Sequence, residues 1–224
     1  MATEIRQAFD AIGAELIIGS ADERFEINVR QEEDREAFVL SYPWSDTISA
    51  EALDVKPKHR HLVLDVTGFR LPISGRYLCG HDEQHWFVAA LPFSRRTMTV
   101  RGAIEALKPA AVLREQKRMG VKHRRYRRKT AAYVRQGEWF FLPRPMMHVG
   151  DLAVRNGQLA RDGGKPHRVE WLYKSEANET FARGAVSHPD HATIRLQVWH
   201  RVVQNTEVRQ DPAQQTFTRM AYLD

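Results

Sequence analysis

The sequence lacks a second cysteine, a glycine-rich nucleotide-binding loop and an apolar run of membrane-spanning length. Because Cys79 is the sole cysteine, an intramolecular disulfide is excluded and a reducing compartment is favoured. The longest apolar runs, such as residues 86–91, fall far below the roughly 20 residues that a transmembrane helix requires. The N-terminus shows no signal-peptide pattern. These absences predict a cytoplasmic protein without a membrane partner.

Composition places the chain among folded proteins. Of its 224 residues, 42% are hydrophobic and 28% are charged, and five tryptophans and ten phenylalanines supply large core side chains. Short segments rich in branched and aromatic residues, separated by turn residues, predict strands over much of the chain. We therefore expect an α+β fold that is predominantly antiparallel β, with a short helical insert and room for two small subdomains.

Charge divides the chain unevenly. Residues 1–54 contain 13 acids and four Lys or Arg, a net charge of −9. Residues 114–129 contain nine Lys or Arg and one acid, a net charge of +8, whereas the whole chain carries +6. This distribution predicts one acidic and one basic segment, which attract each other within the chain or between copies.

The pattern predicts three regions. Residues 1–54 form an acidic segment, with a helix over residues 3–12, where apolar residues recur at helical spacing, followed by a small meander. Residues 55–207 form the main β-rich domain, with a helical basic insert at residues 99–133. Residues 208–224 form a polar tail.

Local signals place the elements of the main domain. Thr99 can cap a helix that ends before Pro109, and a second helix covers residues 110–119. Branched and aromatic clusters predict strands at 61–66, 76–79, 86–91, 138–142, 168–173, 180–186 and 193–203.

The basic block is the clearest functional signal. Closely spaced cations neutralise successive phosphates, and arginine outnumbers lysine by six to three in residues 114–129. Trp139, Phe140 and Phe141 follow and offer rings for stacking on unpaired bases if they are exposed; the competing interpretation is that most of this run is core. The main hypothesis is a non-enzymatic protein that binds RNA or single-stranded DNA through Lys117, Arg118, Lys122, Arg124, Arg125, Tyr126, Arg127, Arg128, Lys129 and Arg135.

The acidic segment supports a different class of protein. Basic runs often match an acidic surface, and residues 1–54 supply one. The alternative hypothesis is a protein-interaction or structural module whose basic block docks on acidic surfaces or forms oligomers. The sequence contains no helix-turn-helix, zinc-finger, KH or RNP motif that would decide between the two.

Ten histidines include two groups with the short spacings that metal sites use. In the first, Cys79, His81 and His85 lie on or beside one predicted hairpin, where a thiolate and imidazoles can converge on zinc or another divalent metal. The competing interpretation is that His81 is a turn residue and Cys79 a buried core residue. Apart from a metal ion at this group or at the second group, no cofactor is predicted.

The second group contains His188, Asp190, His191 and His200. A Pro-Asp turn flanked by histidines suggests a metal-dependent nuclease, in which Asp190 and a histidine act on a phosphodiester. The carboxylate and lysine pattern of such nucleases does not follow on the next strand, and the histidines equally suit a turn. Catalysis is therefore the second alternative, with these four residues as its candidates.

Three segments stand out as motifs: Cys-Gly-His-Asp-Glu-Gln-His-Trp-Phe-Val-Ala-Ala at 79–90, Arg-Gln-Gly-Glu-Trp-Phe-Phe-Leu-Pro at 135–143, and Arg-Gly-Ala-Val-Ser-His-Pro-Asp-His at 183–191 with Trp199-His200. They resemble an uncharacterised bacterial protein family of unknown function. The resemblance extends over residues 60–207. It implies no activity, substrate or fold.

Overall fold

The computed structural model describes residues 2–20, 25–32, 35–43, 48–68, 74–82, 85–121, 129–160 and 165–207. The expected polar tail at 208–224 lies outside the described residues. Six residues of the expected nucleic-acid interface also lie outside them, namely Lys122, Arg124, Arg125, Tyr126, Arg127 and Arg128. The chain divides into two compact units. The first contains Met1–Leu107 and Glu207, and the second contains Lys108–Thr206.

The first unit begins with an amphipathic helix and a three-stranded sheet. The elements are α1 (Ala2–Ala11), β1 (Glu15–Ser20), β2 (Glu26–Glu32) and β3 (Arg35–Tyr42). The strand order is β1-β3-β2, and β3 pairs parallel with β1 and antiparallel with β2, so the sheet is not the simple meander that the sequence predicts. The reason is burial. Phe38 of β3 packs against α1, with its ring centroid 4.9 Å from that of Phe9. Because β3 is the most apolar of the three strands, it takes the central position of the sheet.

A four-stranded antiparallel meander follows in the first unit. Its strands, in spatial as well as sequence order, are β4 (Ile48–Lys56), β5 (His61–Gly68), β6 (Ser74–His81) and β7 (Trp86–Ala90). Leu62, Val63 and Leu64 are consecutive and all buried, because apolar layers cover both faces of this sheet. Each such buried side chain stabilises the fold by about 2 kcal/mol. Residue 54, the domain boundary expected from the sequence, lies within β4.

Two short helices follow, as the sequence predicts. The helix α2 (Val100–Ala106) begins after Thr99, whose hydroxyl oxygen accepts a hydrogen bond from the Gly102 N–H at 3.1 Å. The helix α3 (Ala110–Arg118) belongs to the second unit. Pro109 separates the two helices because it cannot donate the amide hydrogen bond that a continuous helix needs.

The second unit is built on a six-stranded antiparallel sheet. Its strands are β8 (Val134–Gln136), β9 (Trp139–Pro143), β10 (Val154–Leu159), β11 (His167–Lys174), β12 (Thr180–His188) and β13 (His191–Gln204). The strand order is β10-β11-β12-β13-β9-β8. Antiparallel strands dominate both units, which confirms the expected α+β class with β predominance. None of the helices in the described part of the chain is long and apolar enough to span a membrane.

The six-stranded sheet curls. The strand β9 pairs with residues 200–204 of β13, and bulges interrupt the register between β12 and β13. The side-chain amide of Gln136, in β8, donates hydrogen bonds to the carbonyl oxygens of Ala192 at 2.6 Å and Val186 at 3.4 Å. Ala192 lies at the opposite end of β13 from the residues that pair with β9. The curl of the sheet therefore brings the β8–β9 turn close to the β12–β13 turn.

Candidate metal centre

Three histidines lie side by side at one end of strands β11, β12 and β13. His167 is the first residue of β11, His188 the last of β12 and His191 the first of β13. His188 and His191 pair directly across the hairpin, and the pairing of Arg168 with Ser187 brings His167 level with His188. Residues opposite each other in antiparallel strands point to the same face of a sheet. The strand register therefore gathers three imidazoles on one face.

The three rings form a compact triangle, because the ring centroids of His167 and His191 are also only 5.7 Å apart. The ring centroids of His167 and His188 are 4.3 Å apart, and those of His188 and His191 are 4.6 Å apart. One nitrogen from each ring lies within 4.8 Å of one nitrogen from each of the other two. Among the described residues, this is the one group of three or more His, Cys, Asp or Glu side chains close enough to hold a metal ion.

All three side chains are buried. The exposed fraction is 0% for His167, 6% for His188 and 7% for His191. Burial lowers the pKa of His188 below its ordinary value and the neighbouring His191 lowers it further, although the backbone hydrogen bond to Lys165 and the charge of Asp190 act in the opposite direction. A metal ion binds the lone pair of neutral imidazole. His188 is therefore in the ligating form at neutral pH.

Two hydrogen bonds to the backbone orient His188. Its Nε2 donates to the carbonyl oxygen of Lys165 at 3.2 Å, and its Nδ1 accepts the N–H of Asp190 at 3.2 Å. Such partners fix the tautomer and the ring orientation of ligating histidines. Nδ1 of His188 therefore carries the lone pair that a metal ion binds. Coordination at Nδ1 would replace the 3.2 Å hydrogen bond from the Asp190 N–H with a stronger bond.

Gly137 lies against the cluster from the β8–β9 turn. Its φ is +55°, and a Cβ atom at this position would lie 3.2 Å from the Nε2 atoms of both His167 and His191. Two imidazole nitrogens thus border one small space that the glycine leaves open. A larger side chain at residue 137 would enter that space.

The donor set suits a transition metal such as Zn²⁺. Imidazole nitrogens bind zinc at about 2.0–2.1 Å, which places two nitrogens on a tetrahedral ion about 3.4 Å apart. The nitrogens, now within 4.8 Å of one another, need to approach by at most about 1.4 Å to reach that spacing. Hard ions such as Mg²⁺ and Ca²⁺ prefer oxygen ligands, which the three imidazoles do not supply.

Asp190, one of the four residues predicted from the sequence, points towards a lysine. The Nζ of Lys165 lies 2.9 Å from its Oδ1 and 3.1 Å from its Oδ2. The carboxylate oxygen Oδ2 of Asp190 lies 4.0 Å from the Nδ1 of His188. Asp190 is therefore at the edge of the histidine cluster and is held by a cation.

The structure separates His200 from the other predicted residues and supplies a histidine that the sequence reasoning missed. His200 lies opposite Ala182 in the sheet, and its Nδ1 donates to the carbonyl oxygen of Val198 at 2.7 Å. His167, and not His200, lies beside His188. No short spacing along the chain marks His167, because the antiparallel register of β11 on β12 alone brings it into the site.

Within the described residues, the structure does not bring Cys79, His81 and His85 together as three metal ligands. Cys79 is fully buried in the core, and burial raises the pKa of its thiol well above the ordinary range. His81 packs edge-on against Trp86 with 4.7 Å between ring centroids, whereas the Nδ1 of His85 faces Glu36 at 2.9 Å. The interpretation of Cys79 as a core residue is confirmed.

The described part of the basic element is mostly exposed. Lys117 and Arg118 at the end of α3 and Lys129 are exposed. Arg135 is half-buried, with its guanidinium carbon 5.9 Å from the centre of the Phe140 ring.

The aromatic run beside the basic element belongs to the core. Phe140 is 3% exposed, Phe141 is 0% exposed and Trp139 is half-buried. Stacking of Phe140 and Phe141 on unpaired bases, which the sequence allowed, is therefore excluded, and the core interpretation is confirmed.

No protein-family model, curated protein or solved structure matches this chain.

Proposed function

We propose that the second unit is a metal-binding domain in which His167, His188 and His191 hold one zinc ion at a structural site. The observation that carries this proposal is the burial of three imidazoles with one nitrogen of each within 4.8 Å of the others. Three protein ligands leave one tetrahedral position of the ion to a further ligand, and the burial of all three histidines limits the access of a substrate to that position, which favours a structural role.

The energetics of burial favour a ligand at this position. Removing a polar ring from water costs free energy, so three adjacent buried imidazoles fill a core less favourably than apolar side chains of similar size. Zinc coordination more than offsets this cost, because structural zinc contributes about 10 kcal/mol or more to the free energy of folding of small domains. Since the three ligands belong to β11, β12 and β13, the ion would tie together three strand ends.

Calorimetric titration of the chelator-treated full chain with Zn²⁺ tests the proposal. We expect one zinc ion per chain and a rise in the unfolding temperature of the second unit. At a zinc concentration 100-fold above Kd, binding to the folded state alone adds about 2.7 kcal/mol to the free energy of unfolding. An absence of binding, or binding that leaves the unfolding temperature unchanged, contradicts a structural zinc site.

Single substitutions separate the cluster from other histidines of the chain. We expect His167→Gln, His188→Gln and His191→Gln each to weaken zinc binding by about tenfold or more, equivalent to about 1.4 kcal/mol. His148→Gln is the matched control, because His148 is an exposed histidine of the same unit. Equal loss of zinc in this control would mean that the ion binds surface histidines. Circular dichroism of the metal-free variants establishes that they fold.

We propose nucleic-acid binding as a second candidate function. The observation that favours it is that exposed cations flank residues 122–128 on both sides: Arg114 and Lys117 precede this segment, with Arg118 bonded to Glu115 at 2.6 Å, and Lys129 follows it. Each further exposed cation can neutralise another phosphate and release counterions. The same charges suit the alternative function, docking on an acidic protein surface.

The arginine-rich segment is the place to test the second candidate. Replacing Arg124, Arg125, Arg127 and Arg128 with Ala is expected to abolish retention of single-stranded RNA in a filter assay and to flatten its salt dependence. Unchanged retention contradicts nucleic-acid binding by this segment. A homogeneous oligomer that purifies free of nucleic acid favours the protein-interaction module.

A further inference from the structure

The first unit contains a cavity that the proposed zinc site does not involve. Its volume is about 430 Å³, which lies within the range of about 300–1,000 Å³ that small-molecule sites occupy. Residues of the three-stranded sheet and of the β6–β7 hairpin line it, among them Glu15, Arg35, Glu36, His81, His85 and Trp86.

Glu36 fixes His85 at the wall of the cavity. Its Oε1 lies 2.9 Å from the Nδ1 of His85, and its Oε2 accepts the N–H of Trp86 at 2.8 Å. A ring nitrogen that faces a carboxylate at this distance carries a proton, so Nε2 is the His85 atom that meets a ligand, and it donates to an oxyanion when the ring is doubly protonated. The His85 side chain is 46% exposed, so a ligand can reach it.

His81 is the second imidazole of the cavity. Its ring meets the Trp86 ring edge-on at 4.7 Å, and the guanidinium carbon of Arg60 lies 4.3 Å from the centre of the same indole. Burial lowers the pKa of His81, and the charge of Arg60 lowers it further. Trp86 thus holds one imidazole and one cation against the same rigid surface.

The protein itself engages both carboxylates of the cavity. The Oε2 of Glu15 lies 2.9 Å from the Nε of Arg35, and the two oxygens of Glu36 are bonded to the His85 ring and the Trp86 amide. The Arg35 side chain is 74% exposed, so much of its guanidinium faces solvent. Among the described lining residues, the polar groups other than these two carboxylates are therefore the imidazoles of His81 and His85, the guanidinium of Arg35 and the side chain of Gln31.

We propose that this cavity binds a small molecule through an oxyanion group, either phosphate or carboxylate, with Arg35, His81 and His85 as the contacting residues and Glu36 as the positioning residue for His85. A guanidinium and a doubly protonated imidazole hold oxyanions by charge-assisted hydrogen bonds, and a neutral imidazole contributes one N–H donor. The volume of the cavity suits one molecule of metabolite size. The site lies within the first unit and does not depend on zinc.

NMR of the histidine rings in the chelator-treated full chain tests this proposal, with inorganic phosphate and then acetate as the added probes. We expect a saturable shift of the His81 and His85 ring resonances and none at the exposed His59 and His148. A saturable response to either anion supports the site and identifies the class of oxyanion. No saturable shift with either anion, or equal shifts at His59 and His148, overturns the proposal.

Substitutions assign the roles. His85→Gln and, separately, His81→Gln are expected to weaken phosphate binding about tenfold, because each removes one hydrogen bond to the oxyanion. Glu36→Gln is expected to weaken binding and also to change the tautomer signature of the His85 ring nitrogens, with Glu36→Asp restoring part of both. Weaker binding in Glu36→Gln without a change in that signature overturns the positioning role of Glu36.

Discussion

His188 and His191 face each other across the β12–β13 hairpin, as the last residue of one strand and the first residue of the next. Their ring centroids are 4.6 Å apart. A hairpin that fixes two ligands in advance lowers the ordering cost of binding an ion. The third imidazole, from His167, completes the site through the adjacent strand β11.

Gly137, beside the histidine cluster, provides a test of whether the zinc ion occupies the space that this glycine leaves open. Gly137→Ala is expected to weaken zinc binding about tenfold, because the added methyl group lies 3.2 Å from the Nε2 atoms of His167 and His191. Gly120→Ala is the matched control, since its φ is +58° and no described atom lies within 4 Å of the added carbon. Both substitutions bear a left-handed backbone cost of about 1 kcal/mol. Calorimetry that finds equal zinc affinities in the two variants would contradict the placement of the ion beside Gly137.

Asp190 separates a structural metal site from the nuclease hypothesis. Asp190→Asn is expected to change zinc affinity by less than about threefold and to lower the free energy of unfolding by about 0.5 kcal/mol, because partly exposed ion pairs contribute little. Its partner Lys165 is 56% exposed and 2.9 Å away. Zinc titration and urea unfolding of the variant provide the check. A loss of zinc binding as large as that in His191→Gln would make Asp190 a metal ligand and revive the nuclease.

Cys79 is expected to be unreactive in the folded protein. Burial raises the pKa of its thiol, so the thiolate that attacks disulfide reagents is scarcely populated at neutral pH. We expect an aromatic disulfide reagent to modify Cys79 at the rate at which the first unit unfolds, and at once in guanidinium chloride. Rapid modification under native conditions would show that the thiol is accessible and would reopen its role as a nucleophile or ligand.

His200 is expected to make stability depend on pH. Desolvation lowers the pKa of His200 from 6.5, although its hydrogen bond to the Val198 carbonyl opposes the shift. A group with a lower pKa in the folded state binds more protons when unfolded, so its contribution is complete above the unfolded pKa and is lost as pH falls through the folded pKa.

The comparison of native protein with His200→Gln isolates this contribution. Between about pH 7 and pH 5, the native free energy of unfolding should fall more steeply than that of the variant, by at most about 1.4 kcal/mol per pH unit. Urea unfolding of metal-free protein at several pH values measures both slopes. Equal slopes would mean that His200 is not the titrating group.

The sequence pattern predicted most of the elements but not all of their partners. The cap at Thr99 and the strands around residues 61–66 and 180–186 carry local signals, and the structure confirms them. The parallel pairing of β1 with β3 was missed because pairing depends on tertiary contacts such as Phe9 with Phe38, which a local pattern does not contain.

The candidate site was predictable in part. His188 and His191 flank one turn, so their spacing drew attention to them. His167 enters through the register of β11 on β12, which includes a bulge between Val169 and Trp171. A shift of one residue would turn His167 to the other face of the sheet. Register of that kind is set by packing across the whole sheet, and the spacing of histidines along the chain does not reveal it.

X-ray absorption at the zinc edge of the zinc-loaded full chain tests the central claim most directly, because it counts the imidazoles around the ion. We predict three imidazole nitrogens at about 2.0–2.1 Å and no sulfur, with one imidazole fewer in His167→Gln. A sulfur neighbour at about 2.3 Å would place the zinc at Cys79. A first shell with fewer than three imidazoles in the native protein would contradict a site built from His167, His188 and His191.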